Sequence, residues 1–98
     1  MEITDVRVRR IASEGKLRAY ATITFDNQFV IHNLKVIDGK SGLFVAMPSR
    51  KTKSGEFKDV AHPISSDFRA TMQDAILVAY ENAPPPGTEE EYEDETSD

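Results

Sequence analysis

The most regular pattern in the sequence is the alternation of apolar and polar residues over residues 17–25. Because successive side chains of a strand point to opposite faces, this alternation predicts a strand with one buried face. The apolar positions are Leu17, Ala19, Ala21, Ile23 and Phe25. Other short apolar runs predict further strands at residues 6–9, 29–37, 43–47 and 57–61.

Turn-forming residues separate these runs at 14–16, 26–28 and 38–42. Asp26 and Asn27 tolerate the left-handed backbone of a tight hairpin turn. The third turn contains a Gly-Lys-Ser triplet, but the upstream glycine of a phosphate-binding P-loop is missing, since position 34 is leucine. We therefore interpret this triplet as a hairpin turn. Near the N-terminus, Ile3 and Ile11 have the opposite parity to Val6 and Val8, which predicts either a bulge or a strand with apolar residues on both faces.

A helix is predicted after the strands. Ser65 and Ser66 are good N-cap residues, and Asp67 in the first turn complements the helix dipole. Apolar residues at three- and four-residue spacing form one stripe, and the helix should end near residues 81–82, before the prolines. Strands followed by one helix predict an α+β fold: an antiparallel meander of about five strands with a C-terminal helix packed on it. The stripe consists of Phe68, Met72, Ala75, Ile76, Ala79 and Tyr80.

Three consecutive prolines at 84–86 mark a change in composition. The segment 83–98 holds seven acids and no Lys or Arg, so we predict a disordered acidic tail after a single domain at 1–82. The net charge of −5 divides accordingly. The tail carries −7, while the 12 bases and 10 acids of residues 1–82 leave the domain at +2.

Composition also bounds the chemistry. There is no cysteine, so disulfides and Cys-based metal sites are excluded. His32 and His62 form no metal-ligand spacing, and no serine lies in a nucleophile motif, so we expect neither an enzyme, a cofactor nor a small-molecule substrate. No apolar run approaches the roughly 20 residues of a membrane helix. The N-terminus also lacks the features of a secretory signal, and we expect a cytoplasmic protein with no membrane partner.

A basic loop is predicted at residues 49–58, against the acidic balance of the whole chain. Arg50, Lys51, Lys53 and Lys58 are opposed there only by Glu56, and hydroxyl side chains at 49, 52 and 54 could donate to phosphate oxygens. The pattern fits binding to a phosphate backbone, and it also fits an ordinary solvated loop. A second candidate surface comprises Arg7, Arg9 and Arg18 beside Tyr20 on the polar faces of strands, where unpaired bases could stack. A solvated sheet face is the simpler interpretation of that surface.

Several segments resemble the SpoVG family (stage V sporulation protein G) of bacteria. They are residues 33–39 (NLKVIDG), 43–52 (LFVAMPSRKT) and 57–64 (FKDVAHPI), with 3–8 (ITDVRV) also in agreement. The resemblance covers about residues 1–82 and leaves the acidic tail outside the family core.

The resemblance implies a small cytoplasmic α+β protein that binds DNA and, in some members, RNA, and that affects gene expression, septation and sporulation. It implies a homodimer formed by strand pairing. Its nucleic-acid contacts carry over to Arg50, Lys51, Thr52 and Lys53 in the basic loop, and to Ser66 and Arg69 at the helix start. The alternative is a protein-interaction adaptor that does not bind nucleic acid directly, for which exposed sheet edges and weak net domain charge would suffice.

Overall fold

The α+β class, the antiparallel meander and the C-terminal helix are confirmed by a computed structural model, which describes residues 1–12 and 14–86. The predicted disorder over 83–98 remains a prediction, because residues 87–98 lie outside the described part. The elements are β1 (Ile3–Arg10), β2 (Leu17–Phe25), β3 (Phe29–Gly39), β4 (Gly42–Ala46), β5 (Ser49–Lys51), β6 (Phe57–Asp59) and α1 (Ser66–Asn82).

Strands β1 to β4 form one antiparallel sheet in the order β1-β2-β3-β4. The β2–β3 turn follows the prediction, since Asp26 and Asn27 have φ angles of 53° and 54°. The Gly-Lys-Ser triplet lies in the β3–β4 hairpin turn, also as predicted. A bulge predicted for β1 occurs between Ile3 and Asp5.

The core lies between one face of this sheet and α1. The predicted buried face of β2 is confirmed, because four of its five apolar residues are fully buried and Leu17 is partly buried. From the helix, Met72 and Ile76 are buried, and Phe68 packs beside them with its ring 5.8 Å from that of Phe25. Burial of this single layer is the main driving force for folding in a domain of this size.

Two polar contacts fix the helix on the sheet. The Gln73 side chain accepts a hydrogen bond from the backbone N–H of Val45, at 3.0 Å, and so satisfies an amide of the edge strand β4. At the other end, the guanidinium of Arg10 donates two hydrogen bonds, of 3.1 and 2.6 Å, to the carbonyl oxygen of Tyr80. The helix has no basic residue in its last turn, so Arg10 of β1 supplies the cation that complements the dipole there.

The fifth predicted strand does not extend the meander. Pro48, which has no N–H to donate, follows β4, and the chain then forms a separate two-stranded sheet of β5 and β6. We call this unit, residues 49–59, the basic hairpin. As a consequence β4 pairs only with residues 35–39 of β3, and no strand among residues 1–12 and 14–86 covers residues 29–33 on that side.

No helix within the described residues is long and apolar enough to cross a membrane.

Candidate nucleic-acid interface

The predicted basic loop is a hairpin with its own backbone hydrogen bonds. Its base is closed by the N–H of Val60, which donates to the carbonyl of Pro48 at 2.7 Å. At the tip, the N–H of Thr52 donates to the carbonyl of Glu56 at 2.7 Å, and Gly55 has the positive φ of 92° that favours glycine. These bonds hold the charged residues on an ordered β-ribbon.

Arg50 and Lys58 lie directly opposite each other in the hairpin. Paired positions project from the same face of a ribbon, so both cations are on one side. Both side chains are exposed, and within the described residues neither makes an ion pair or side-chain hydrogen bond. Like charges at directly opposite positions destabilise a ribbon, so this face would gain stability from an anion.

The opposite face of the basic hairpin pairs Lys51 with Phe57, whose side chain is 69% exposed. Lys53 is exposed in the turn, where the Thr52 and Ser54 hydroxyls hydrogen-bond to each other at 3.1 Å. The hairpin therefore brings together Arg50, Lys51, Thr52, Lys53 and Lys58, five of the seven predicted site residues. The exposure of Phe57 was not predictable from the sequence, because an apolar residue at the start of a strand usually belongs to the core.

The helix start supplies the other two predicted residues, Ser66 and Arg69. The Ser65 side chain is the N-cap and accepts from the N–H of Phe68 at 3.0 Å, which leaves Ser66 exposed in the first turn. Ser66 and Arg69 are three residues apart and so lie on the same side of the helix. In the described part of the chain, no hydrogen bond or ion pair joins them to the basic hairpin.

Two grooves lie near the base of the basic hairpin, and only the first is lined by a hairpin residue. The first has a volume of about 620 Å³ and is lined by the open part of β3, by Tyr20 and Lys35, and by Pro48, Ser49 and Val60 at the hairpin base. The second, of about 560 Å³, is mainly apolar and extends to Ser65 and Phe68 at the helix start. Phe29, Ile31 and Ala61 line both grooves.

Lys35 is a groove residue that reasoning from the sequence did not select. The sequence carried no signal for it, because Lys35 lies opposite Tyr20 only in the observed register of β2 and β3. That register depends on the bulge near Asn33, which has a φ of 67°. Nothing in the local pattern of apolar residues indicates this bulge.

The predicted basic sheet face is partly compensated by acids. Arg7 forms an exposed ion pair with Asp5 at 3.0 Å, and Arg18 pairs with Asp38 at 3.3 Å. Arg9 lies over the ring of Tyr20, 5.8 Å from its centroid. The electrostatic attraction of this face for an anion is therefore weaker than its three arginines suggest.

Both histidines have local partners. His32 Nδ1 lies 3.5 Å from the hydroxyl of Thr22, and His62 Nδ1 lies 3.0 Å from the carbonyl oxygen of Pro63. No group of three His, Asp or Glu side chains that could hold a metal ion occurs among residues 1–12 and 14–86.

Comparison with known proteins agrees with the resemblance seen in the sequence. The SpoVG family model matches residues 1–82. A protein of Thermoanaerobacter sp. strain X514 is 64% identical over 83 residues, covering 85% of this chain and 90% of its own. One of Clostridium acetobutylicum is 56% identical over 98 residues, covering all of both chains. Each carries the name "Putative septation protein SpoVG". The chain therefore belongs to the SpoVG family.

Proposed function

We propose that this chain is a nucleic-acid-binding regulator, which contacts the phosphate backbone of DNA, and also of RNA, through the basic hairpin. The observation that carries the proposal is the directly opposed pair Arg50 and Lys58, which has no counter-ion within the described residues. Two adjacent cations on an exposed ribbon can neutralise phosphates of a nucleic-acid strand.

The residues of the basic hairpin would differ in their roles. The planar guanidinium of Arg50 can donate two parallel hydrogen bonds, either to a phosphate or to a guanine edge. Lys51, Lys53 and Lys58 would act as point charges that set the affinity, with the Thr52 hydroxyl as an additional donor. Ser66 and Arg69 would extend this contact at the helix start.

A homodimer formed by strand pairing would present two basic hairpins. If both enter major-groove half-sites on one face of a duplex, those half-sites should lie about 34 Å apart or a multiple of that distance. We propose that the protein works in the cytoplasm as a binding protein rather than an enzyme. Through gene expression it would influence septation, the process named in its relatives, and sporulation.

Salt titration of DNA binding tests the role of the basic hairpin. With four phosphate contacts from each of two hairpins, the slope of log K against log salt concentration should be about −7. Replacing Arg50 and Lys58 together by alanine removes four of those contacts from a dimer and should reduce the magnitude of the slope by about 4. The matched control is Lys16→Ala/Lys40→Ala, which removes the same charge from exposed turn residues.

The control should keep a slope close to that of the wild type, because Lys16 and Lys40 lie in turns outside the basic hairpin. Equal slopes for the Arg50/Lys58 and Lys16/Lys40 variants would contradict the proposal. If Arg50 reads a base, Arg50→Ala alone should reduce the difference in affinity between sequences. If it only holds a phosphate, all sequences should weaken alike.

A second candidate function, a protein-interaction adaptor, is favoured by one observation. Phe57, Val60 and Ile64 are apolar and are 69%, 65% and 96% exposed, close together in the chain. Several exposed apolar residues close together in the chain are typical of a surface that binds a protein partner. A partner that is retained by the wild type after nuclease treatment, but lost from a Val60→Ser/Ile64→Ser variant, would support the adaptor function.

A further inference from the structure

The groove between Tyr20, Lys35 and the base of the basic hairpin is open at its side, so it could bind one segment of a longer polymer. It lies where β4 ends and β3 continues, so it is open along the uncovered residues 29–33. Its volume of about 620 Å³ falls within the roughly 300–1,000 Å³ of ligand pockets in general. Ser49, at the base of the basic hairpin, lines the groove on the side opposite to β3.

A row of side chains crosses the open sheet face beside this groove. Arg9 of β1 pairs with Tyr20 of β2, and Tyr20 pairs with Lys35 of β3. The row therefore places an aromatic ring between two cations and contains no acid. This is the arrangement by which single-strand-binding proteins hold nucleotides, with a base stacked on the ring and cations near the phosphates.

The ring of Tyr20 is only loosely covered by its arginine. The guanidinium carbon of Arg9 lies 5.8 Å from the ring centroid, near the outer limit of about 6 Å for a cation–π contact. At the helix end, by contrast, the same atom of Arg10 lies 4.1 Å from the ring centroid of Tyr80. The contact of Arg9 with Tyr20 is therefore the weaker of the two cation–π contacts.

We infer that the Tyr20 groove binds unpaired nucleotides, with a base stacked on Tyr20 and adjacent phosphates near Lys35 and Arg9. The inference rests on the proposed nucleic-acid function and adds a second element to it, which takes a single strand rather than a duplex. In a duplex the faces of the bases are stacked on one another and cannot reach Tyr20.

The test measures binding of the full chain to labelled oligothymidine and oligouridine of about 12 nucleotides, within the 4–16 nucleotides of known single-strand sites. An abasic chain of equal length supplies the same phosphates without bases. The wild type should bind the oligothymidine and oligouridine on the order of tenfold more tightly than the abasic chain. Equal binding of oligothymidine and the abasic chain would overturn the inference. The ratio of oligouridine to oligothymidine affinity distinguishes RNA from DNA as the preferred strand.

Variants locate the contact. Tyr20→Thr, which keeps a strand-forming residue, should weaken oligothymidine binding about tenfold, whereas Tyr20→Phe should retain it. Lys35→Gln should reduce the magnitude of the slope of log K against log salt concentration by about 1. Lys40→Gln, which removes the same charge, should leave that slope unchanged. Unchanged oligothymidine binding by Tyr20→Thr would refute the inference.

Failure of this inference can be told apart from failure of the proposed function. Only the stacking site is overturned if duplex binding depends on Arg50 and Lys58 while oligothymidine binding is unaffected by the loss of Tyr20. Tyr20→Thr should keep wild-type duplex affinity, which also shows that the variant is folded. If Tyr20→Thr weakened duplex and single-strand binding equally, the groove would not be a separate single-strand site, and the inference would be overturned as well.

Discussion

Replacing Arg10 by alanine is expected to loosen the C-terminal end of the helix. The Arg10 guanidinium donates from Nε and Nη2 to the carbonyl oxygen of Tyr80, at 3.1 and 2.6 Å, and stacks on the Tyr80 ring at 4.1 Å. A single side chain thus joins the end of β1 to the last turn of α1, residues that are 70 positions apart in the sequence.

The size of the effect follows from these contacts. A hydrogen bond to a charged group contributes about 1.5–3 kcal/mol, and a partly exposed cation–π contact about 0.5–1 kcal/mol. The Tyr80 carbonyl keeps one donor in the variant, the N–H of Ala83 at 3.2 Å, so it is not left without a partner. We therefore take the lower part of the range and expect a loss of about 2 kcal/mol. For a domain of this size, that loss corresponds to a melting temperature lower by about 8–16 °C.

Chemical denaturation followed by far-ultraviolet circular dichroism measures this change, with all proteins at one concentration because oligomerisation affects apparent stability. Arg7→Ala is the matched control, since Arg7 lies on the same strand but is exposed and, in the part of the chain that the structure describes, forms an ion pair only with Asp5. Loss of the exposed Arg7–Asp5 ion pair should lower the free energy of unfolding by less than about 1 kcal/mol. Arg10→Lys keeps the charge without the planar fork and should be intermediate. Equal free energies of unfolding for Arg10→Ala and Arg7→Ala would refute the reasoning.

Two further changes test local features of the fold. Ser65→Ala removes the oxygen that accepts from the N–H of Phe68 and should lower the free energy of unfolding by about 1 kcal/mol. In the same denaturation experiment, Ser66→Ala should change it by less than about 0.5 kcal/mol. Similar losses in the two variants would show that Ser65 is not the cap. A Cβ on Gly39 would lie 2.8 Å from the Phe44 ring, so Gly39→Ala should destabilise the protein by about 1 kcal/mol, yet be neutral or stabilising in a Phe44→Ala background. Additive effects of those two substitutions would contradict the steric explanation.

The parts of the fold that were predictable from the sequence depend on local chemistry. The alternation of β2 follows from the two-residue period of a strand, and the bounds of the helix follow from Ser65 as cap and the prolines at 84–86 as terminators. The left-handed turn at Asp26 and Asn27 has the same local origin. Each of these features needs only neighbours in the sequence.

Pairing between distant segments was not predictable in the same way. A short strand over 57–61 was expected, but whether it would join the meander or pair with residues 49–51 depends on where the chain turns after Pro48. Consequently the charges of the basic loop could be located from the sequence, whereas the opposition of Arg50 and Lys58 could not. The groove at Tyr20 and Lys35 was hidden for the same reason, because it exists only where β4 stops short of the full length of β3.

The closure of the basic hairpin by Val60 and Pro48 has a consequence for how this protein can diversify. No residue from 49 to 59 is fully buried, and the hairpin hydrogen-bonds to itself rather than to the four-stranded sheet. Its length and side chains can therefore be exchanged between homologues or by design without repacking the core. In effect the basic hairpin and the packed core are separate modules of one short chain, and transplanting residues 49–59 should transfer the contacts of the hairpin with a duplex while the host keeps its own stability.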